Sequence, residues 1–113
     1  MHSLERYRTL VDLARERLAT LKIGSVTVHH RDGLEGLAEK APFDRIIVTA
    51  AGPDVPQALA EQLADGGRLI LPLGPKGAVQ QLVMVEKRGA TFDRRVLADV
   101  RFVPLVEGVA TRL

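Results

Sequence analysis

Phe43-Asp44-Arg45-Ile46-Ile47-Val48-Thr49-Ala50-Ala51-Gly52-Pro53 is the stretch on which the reading of the fold turns. Ile46, Ile47 and Val48 are β-branched in succession, which suits a pleated strand better than a helix. The run predicts a strand over 45–49, and its lack of polar alternation predicts cover on both faces, as parallel sheets have. Gly52-Pro53 then breaks the chain. The small residues Thr49, Ala50 and Ala51 stand at the strand's carboxyl end, where open α/β sheets gather ligands.

Downstream, Pro56 is placed to open a helix without losing a needed N–H. Leu59, Ala60 and Leu63 give that helix an apolar stripe, and Asp65-Gly66-Gly67 is expected to end it. Residues 68–73 read as another apolar strand, followed by the loop Gly74-Pro75-Lys76-Gly77. The pattern then changes. Residues 81–86 and 95–105 read as strands joined through Gly89 with no helix between, hence an antiparallel hairpin. Val96, Ala98, Val100 and Phe102 are expected to share one face, with Asp99 and Arg101 on the other.

Upstream, Tyr7, Leu10, Val11, Ala14, Leu18 and Leu21 recur at three- and four-residue intervals and predict a helix over 6–22, stopped by Gly24. Residues 25–30 follow as a short strand closed by the turn pair Asp32-Gly33, and a further strand is expected at 1–4. The order of strands and helices predicts an α/β sheet, parallel at first and antiparallel at one edge. No internal repeat or linker divides the 113 residues, an ordinary length for one domain.

Composition narrows the function. Hydrophobic residues are 46% and charged ones 27%, which fits a folded protein and excludes a disordered one. No apolar run approaches the ~20 residues of a membrane helix, and no signal core is visible. There is no cysteine, which excludes disulfides, zinc–thiolate sites and cysteine nucleophiles and fits a cytoplasmic setting. The net charge of +2 is spread out: residues 25–75 carry seven acids against four bases, and both ends are mildly basic. With aromatic residues at 4% and no basic stripe, nucleic-acid binding is not expected. His29 and His30 fall on opposite faces of their strand and His2 has no partner at ligand spacing, so no metal site is expected.

Several blocks resemble one family. The segment 43–53 is similar to the FDRIIVTAA-x-P motif of protein-L-isoaspartate (D-aspartate) O-methyltransferases. LADGGRLILPLGP at 63–75 resembles that family's next block, and VRFVPL at 100–105 its closing strand. Ser3-Leu4-Glu5-Arg6 resembles the end of the family's second strand, and Asp32-Gly33 the turn after its third. The likeness runs in order over nearly all of the chain.

The resemblance implies a partial Rossmann-like class I methyltransferase sheet, with residues 1–113 as the C-terminal part of one domain and without the family's first strand and glycine-rich cofactor loop. It implies methyl transfer from S-adenosyl-L-methionine to the isoaspartyl carboxylate of damaged proteins, a repair reaction in which the ester closes to a succinimide and reopens partly as normal aspartate. A carboxylate, with a reference pKa of ~3.9, is already ionised at neutral pH and needs neither base nor metal. No catalytic residue is therefore assigned.

Glu5, Asp32, Gly33 and Thr49 are the implied cofactor-binding residues, and Thr49, Ala50 and Ala51 the implied substrate-binding ones. Each has a plainer reading. Glu5 is also a surface acid near a helix start, where it favours the macrodipole. Asp32-Gly33 is also an ordinary turn. Thr49 to Ala51 are also small residues that let a helix approach a strand. Arg101, Val103 and Pro104 border either a peptide groove or a plain edge. By itself the chain is expected to be inactive, with self-association through strand edges left open at Leu4 and Ile46 to Val48. Two other readings stand beside this: a non-catalytic α/β interaction module, and a nicotinamide-binding oxidoreductase, which shares only the acid after the second strand.

Overall fold

A computed structural model describes residues 1–75 and 77–111. Lys76, in the loop expected at 74–77, lies outside the described residues. The chain folds as two compact units, Met1–Gly36 with Val106–Leu113, and Leu37–Leu105.

In the first unit, β1 (His2–Glu5) leads into α1 (Arg8–Thr20), which returns to β2 (Thr27–His30). The two strands pair in parallel, His2 opposite Thr27 and Glu5 opposite His30. The helix is the expected one, two residues shorter at each end than 6–22. Val11 is its one fully buried residue, while Leu21, at the end of the expected stripe, is exposed. Arg15 donates from Nη2 to the Val28 carbonyl at 2.8 Å, tying helix to strand. The tail runs back along this unit: Arg8 N donates to Ala110 O at 2.8 Å and Ala110 N to Arg6 O at 2.7 Å.

The second unit is a four-stranded sheet in the order β3 (Phe43–Ile47), β4 (Leu63–Leu73), β5 (Gln80–Arg88), β6 (Thr91–Val100). β3 and β4 are parallel, and the remaining pairs antiparallel, as expected. The core lies on one face. Leu69 and Leu71 of β4 meet Val85 and Val83 of β5, with Leu59 of α2 (Gln57–Glu61) and Leu63 closing over them. Ile46 and Val48 pack against this cluster.

The structure corrects three expectations. β3 is covered on one face only: Ile46 and Val48 turn inward, and Ile47 between them is 71% exposed. Alternation of side chains operates even where sequence shows no polar partner. The second helix is one turn long, because the chain re-enters the sheet at Leu63. There Gly67 lets the backbone close in, since a Cβ on it would sit 2.9 Å from the Phe43 carbonyl oxygen and 2.8 Å from that of Ala64. Lastly, β6 does not keep one face over 96–102. Leu82 pairs with Ala98 but Val83 with Val96, so Leu97 is an extra residue in a bulge, and the strand ends at Val100. Gly89-Ala90 forms the two-residue hairpin turn, with φ 59° at Gly89. No helix among the described residues is long and apolar enough to cross a membrane.

Candidate functional site

The positions singled out by sequence fall in both units. In the first, the parallel ladder places Glu5 and the Asp32 turn at the carboxyl ends of neighbouring strands, and Arg31 N donates to Glu5 O at 3.1 Å. That end of a parallel sheet is where α/β folds bind ligands. The half-buried Glu5 carboxylate accepts from Tyr7 N through Oε1 at 3.1 Å, which turns it toward the amino end of α1.

Asp32 is held from two sides. Oδ1 accepts from Leu34 N at 2.9 Å, capping the 3-10 turn Gly33–Glu35, and Oδ2 accepts from Gly108 N at 2.9 Å. The turn expected at Asp32-Gly33 is present, with both carboxylate oxygens of Asp32 engaged by backbone N–H groups. Gly33 has no packing reason to be glycine: a Cβ there meets nothing within 4 Å, and its φ is not in the left-handed region. Its neighbour Asp32 lines a cleft of about 370 Å³ together with His30, Arg31, Glu35, Gly108 and Val109.

In the second unit, Thr49, Ala50 and Ala51 follow the carboxyl end of β3. Thr49 is exposed and Ala51 buried. Ala51 is gripped on both backbone atoms by the segment resembling the closing strand: its N donates to Val103 O at 2.6 Å, and its O accepts from Leu105 N at 2.7 Å. Gly52 N reaches Pro72 O at 3.2 Å on the other side, so the small-residue run is threaded between 103–105 and the end of β4. Thr49 to Ala51 and Val103-Pro104 are thus neighbours, a proximity that sequence order alone did not reveal.

Sequence reasoning missed Gln80. It is 1% exposed, and its amide accepts from Phe102 N at 2.7 Å and donates to Phe102 O and Pro75 O at 3.3 and 3.2 Å. It positions the 101–105 segment that holds Ala51. A polar residue opening an apolar strand was its only signal.

Beside this run, Asp54 accepts from Arg94 Nη2 at 2.8 Å. The Arg94 hydrogen bond, then that of Val55 N, then the Arg94 charge hold the Asp54 carboxyl below the ordinary carboxylate range. A depressed folded-state pKa stabilises the fold above the unfolded value, and that contribution is lost as pH falls through the folded value. Asp54→Asn should therefore leave stability at pH 7 nearly unchanged, as the pair is exposed, and flatten the loss of stability below about pH 4. Thermal unfolding of parent and variant across pH 2.5–7 reads both.

Among the described residues no group of three or more His, Asp or Glu could hold a metal ion. His2 does have a neighbour, however: its Nδ1 lies 3.1 Å from His29 Nε2, brought there by strand pairing across 27 residues of chain.

Comparison with known proteins agrees with the resemblance. The family model for protein-L-isoaspartate (D-aspartate) O-methyltransferase matches residues 1–110. A protein-L-isoaspartate O-methyltransferase of Parvibaculum lavamentivorans is 53% identical over 112 residues, covering 97% of this chain and 50% of the relative. That of Halorhodospira halophila is 48% identical, covering 96% and 49%. The chain thus spans about half the length of the curated relatives it matches. A solved protein-L-isoaspartate O-methyltransferase superposes with a TM-score of 0.86 at 27% identity, over 96% of this chain and 35% of that one. A Plasmodium falciparum structure described as such an enzyme in complex with S-adenosyl-L-homocysteine gives 0.78 at 28%, over 93% and 51%. The blocks at 43–53, 63–75 and 100–105 all lie within the matched span, and the chain belongs to the protein-L-isoaspartate (D-aspartate) O-methyltransferase family.

Proposed function

We propose that residues 1–113 form the C-terminal part of one methyltransferase domain and serve transfer of a methyl group from S-adenosyl-L-methionine to the carboxylate of L-isoaspartyl residues in damaged proteins. The observation that carries this is the placement of Glu5 and Asp32-Gly33 together at the carboxyl ends of β1 and β2, with open space where Gly33 lacks a side chain. A half-buried carboxylate at that end of the ladder, with one oxygen on Tyr7 N, keeps acceptor capacity for paired hydroxyls, and a bare backbone at Gly33 lets a flat ring approach, so the residues present fit a nucleoside cofactor.

When bound, the cofactor supplies an electrophilic methyl group on a sulfonium. Held by Glu5, Asp32, Gly33 and Thr49, it would give that methyl group to a substrate carboxylate oxygen and would itself leave as a neutral thioether, with a neutral ester as the other product. No proton moves. The chain's part is to hold and align: Glu5 and Asp32 on the nucleoside, Thr49 on cofactor and substrate, and the small side chains of Ala50 and Ala51 leaving room for a peptide backbone. The proposal takes the cytoplasm as its setting.

A chimera tests it. This chain replaces the matched half of the Parvibaculum relative, and methylation of an isoaspartyl peptide is followed with labelled cofactor. The chimera is expected to be active, and Glu5→Ala is expected to weaken cofactor binding about tenfold or more, the scale of a lost hydrogen bond to a charged group. A folded chimera that methylates nothing supports the interaction-module reading.

Self-association belongs to the same proposal. Ile47 stands 71% exposed on β3, which ends its sheet. An apolar strand end of this kind invites pairing with another copy. Sedimentation of the 113-residue chain should show concentration-dependent dimers, and Ile47→Lys should return it to monomer. A monomer at every concentration counts against the open-edge reading.

A further inference from the structure

We propose that His2 and His29 form a two-histidine clamp for a divalent transition-metal ion on the face of the β1–β2 ribbon that carries Leu4 and Thr27. In the parallel register, His2 is paired with Thr27 and His29 with Leu4. His2 and Leu4 point to one face of β1 and Thr27 and His29 to the matching face of β2, so the two imidazoles are diagonal neighbours on the same side. Their ring centroids are 5.3 Å apart, the planes tilted by 39°, and His2 Nδ1 lies 3.1 Å from His29 Nε2. His30 takes the other face, where its Nε2 is bonded to the carbonyls of Arg6 and Ala110 at 2.8 and 3.1 Å.

The nitrogen separation decides the chemistry. Two imidazole nitrogens bound to one ion at ~2.0–2.1 Å, with an angle of ~90–110° between them, lie ~2.9–3.4 Å apart. The spacing in the ribbon falls within that window. The same 3.1 Å accommodates a hydrogen bond in which one ring donates to the other. A metal ion takes the place of the shared proton, and a modest rotation of each ring turns both lone pairs onto it. Imidazole donors select zinc, nickel and copper over calcium or magnesium. His2 is exposed, so an ion can reach the pair from solvent. Neither histidine is among the residues proposed to hold the nucleoside: His2 opens β1, and His29 lies opposite Leu4, one residue short of the Glu5–His30 pair.

The test is a calorimetric titration of the 113-residue chain with zinc ion in a non-coordinating buffer. One ion per chain is expected. His2→Gln and His29→Gln should each weaken binding about tenfold or more, because each removes the chelate, while the double variant should lose little beyond either single one. A second readout needs no variant: nitrogen-15 spectra of the parent should show His2 and His29 ring signals moving together with zinc while those of His30 stay in place. Losses that add as for independent one-histidine sites, a response centred on His30, or no response at millimolar zinc would each overturn the proposal.

Discussion

Gln80→Leu should cost the chain about 2–4 kcal/mol of stability, the scale set by leaving polar groups without partners in the interior. The Gln80 amide serves three backbone atoms, Phe102 N, Phe102 O and Pro75 O, from a position that is 1% exposed. Leucine matches its bulk but offers nothing to any of them. The loss is not spread evenly. Residues 101–105 lie beyond the end of β6 and hang on Gln80 at one end and Ala51 at the other. Hydrogen exchange should therefore show the amides of Ala51 and Leu105 opening first, while those of Val83 and Val85 follow only the global change. Gln80→Glu sharpens the test: it can still accept from Phe102 N, but it loses both donated bonds and buries a charge, so it should destabilise too. If the Gln80→Leu variant unfolds at the parent's urea midpoint with Ala51 still protected, the amide is not what holds this segment.

Leu69→Ala should be comparably damaging, at about 2–5 kcal/mol. Leu69 is fully buried, flanked in register by Ile46 on β3 and Val85 on β5, and sits at the middle of the cluster that also holds Leu59, Leu63, Leu71 and Val83. Strands on both sides fix the backbone, so the space left by the removed carbons cannot be closed by collapse. Against a total stability of roughly 5–15 kcal/mol for ordinary domains, this one change consumes a large share. Leu97→Ala supplies the contrast. Leu97 occupies the β6 bulge and is exposed, so its loss should stay within about 0.5 kcal/mol. Urea unfolding of the three chains distinguishes the cases, and equal midpoints for Leu69→Ala and Leu97→Ala would show the core to be elsewhere.

Much of this was legible in residue order, and what was not has identifiable causes. The α1 stripe, the parallel β3–β4 pair and the hairpin at Gly89 follow from periodicity and turn chemistry, which act over a few residues. The one-sided cover of β3 could not be read from Ile46-Ile47-Val48, because an apolar run does not say which face its neighbours reach. The early end of α2 was hidden by Leu63, whose spacing continues the helical stripe although its backbone belongs to β4. Gln80 and the His2–His29 contact depend on partners 22 and 27 residues away, beyond any local pattern. Family likeness supplied Glu5, Asp32 and Gly33. The structure added why glycine at 33 is not a matter of packing, and how Asp32 also ties down Gly108.

The bulge at Leu97 also bears on how large an assembly of this chain can grow. β6 twists at that point and carries Asp93, Arg94, Arg95 and Asp99 along a rim that is exposed almost throughout. Kinked and charged, it is a guarded border to which another strand adds poorly. Within this four-stranded sheet, the proposed joining through β3 would use its one unguarded side, and a two-fold pair so made would present a β6 rim at both ends. On that proposal, growth through this sheet would stop at two copies rather than run on into fibres.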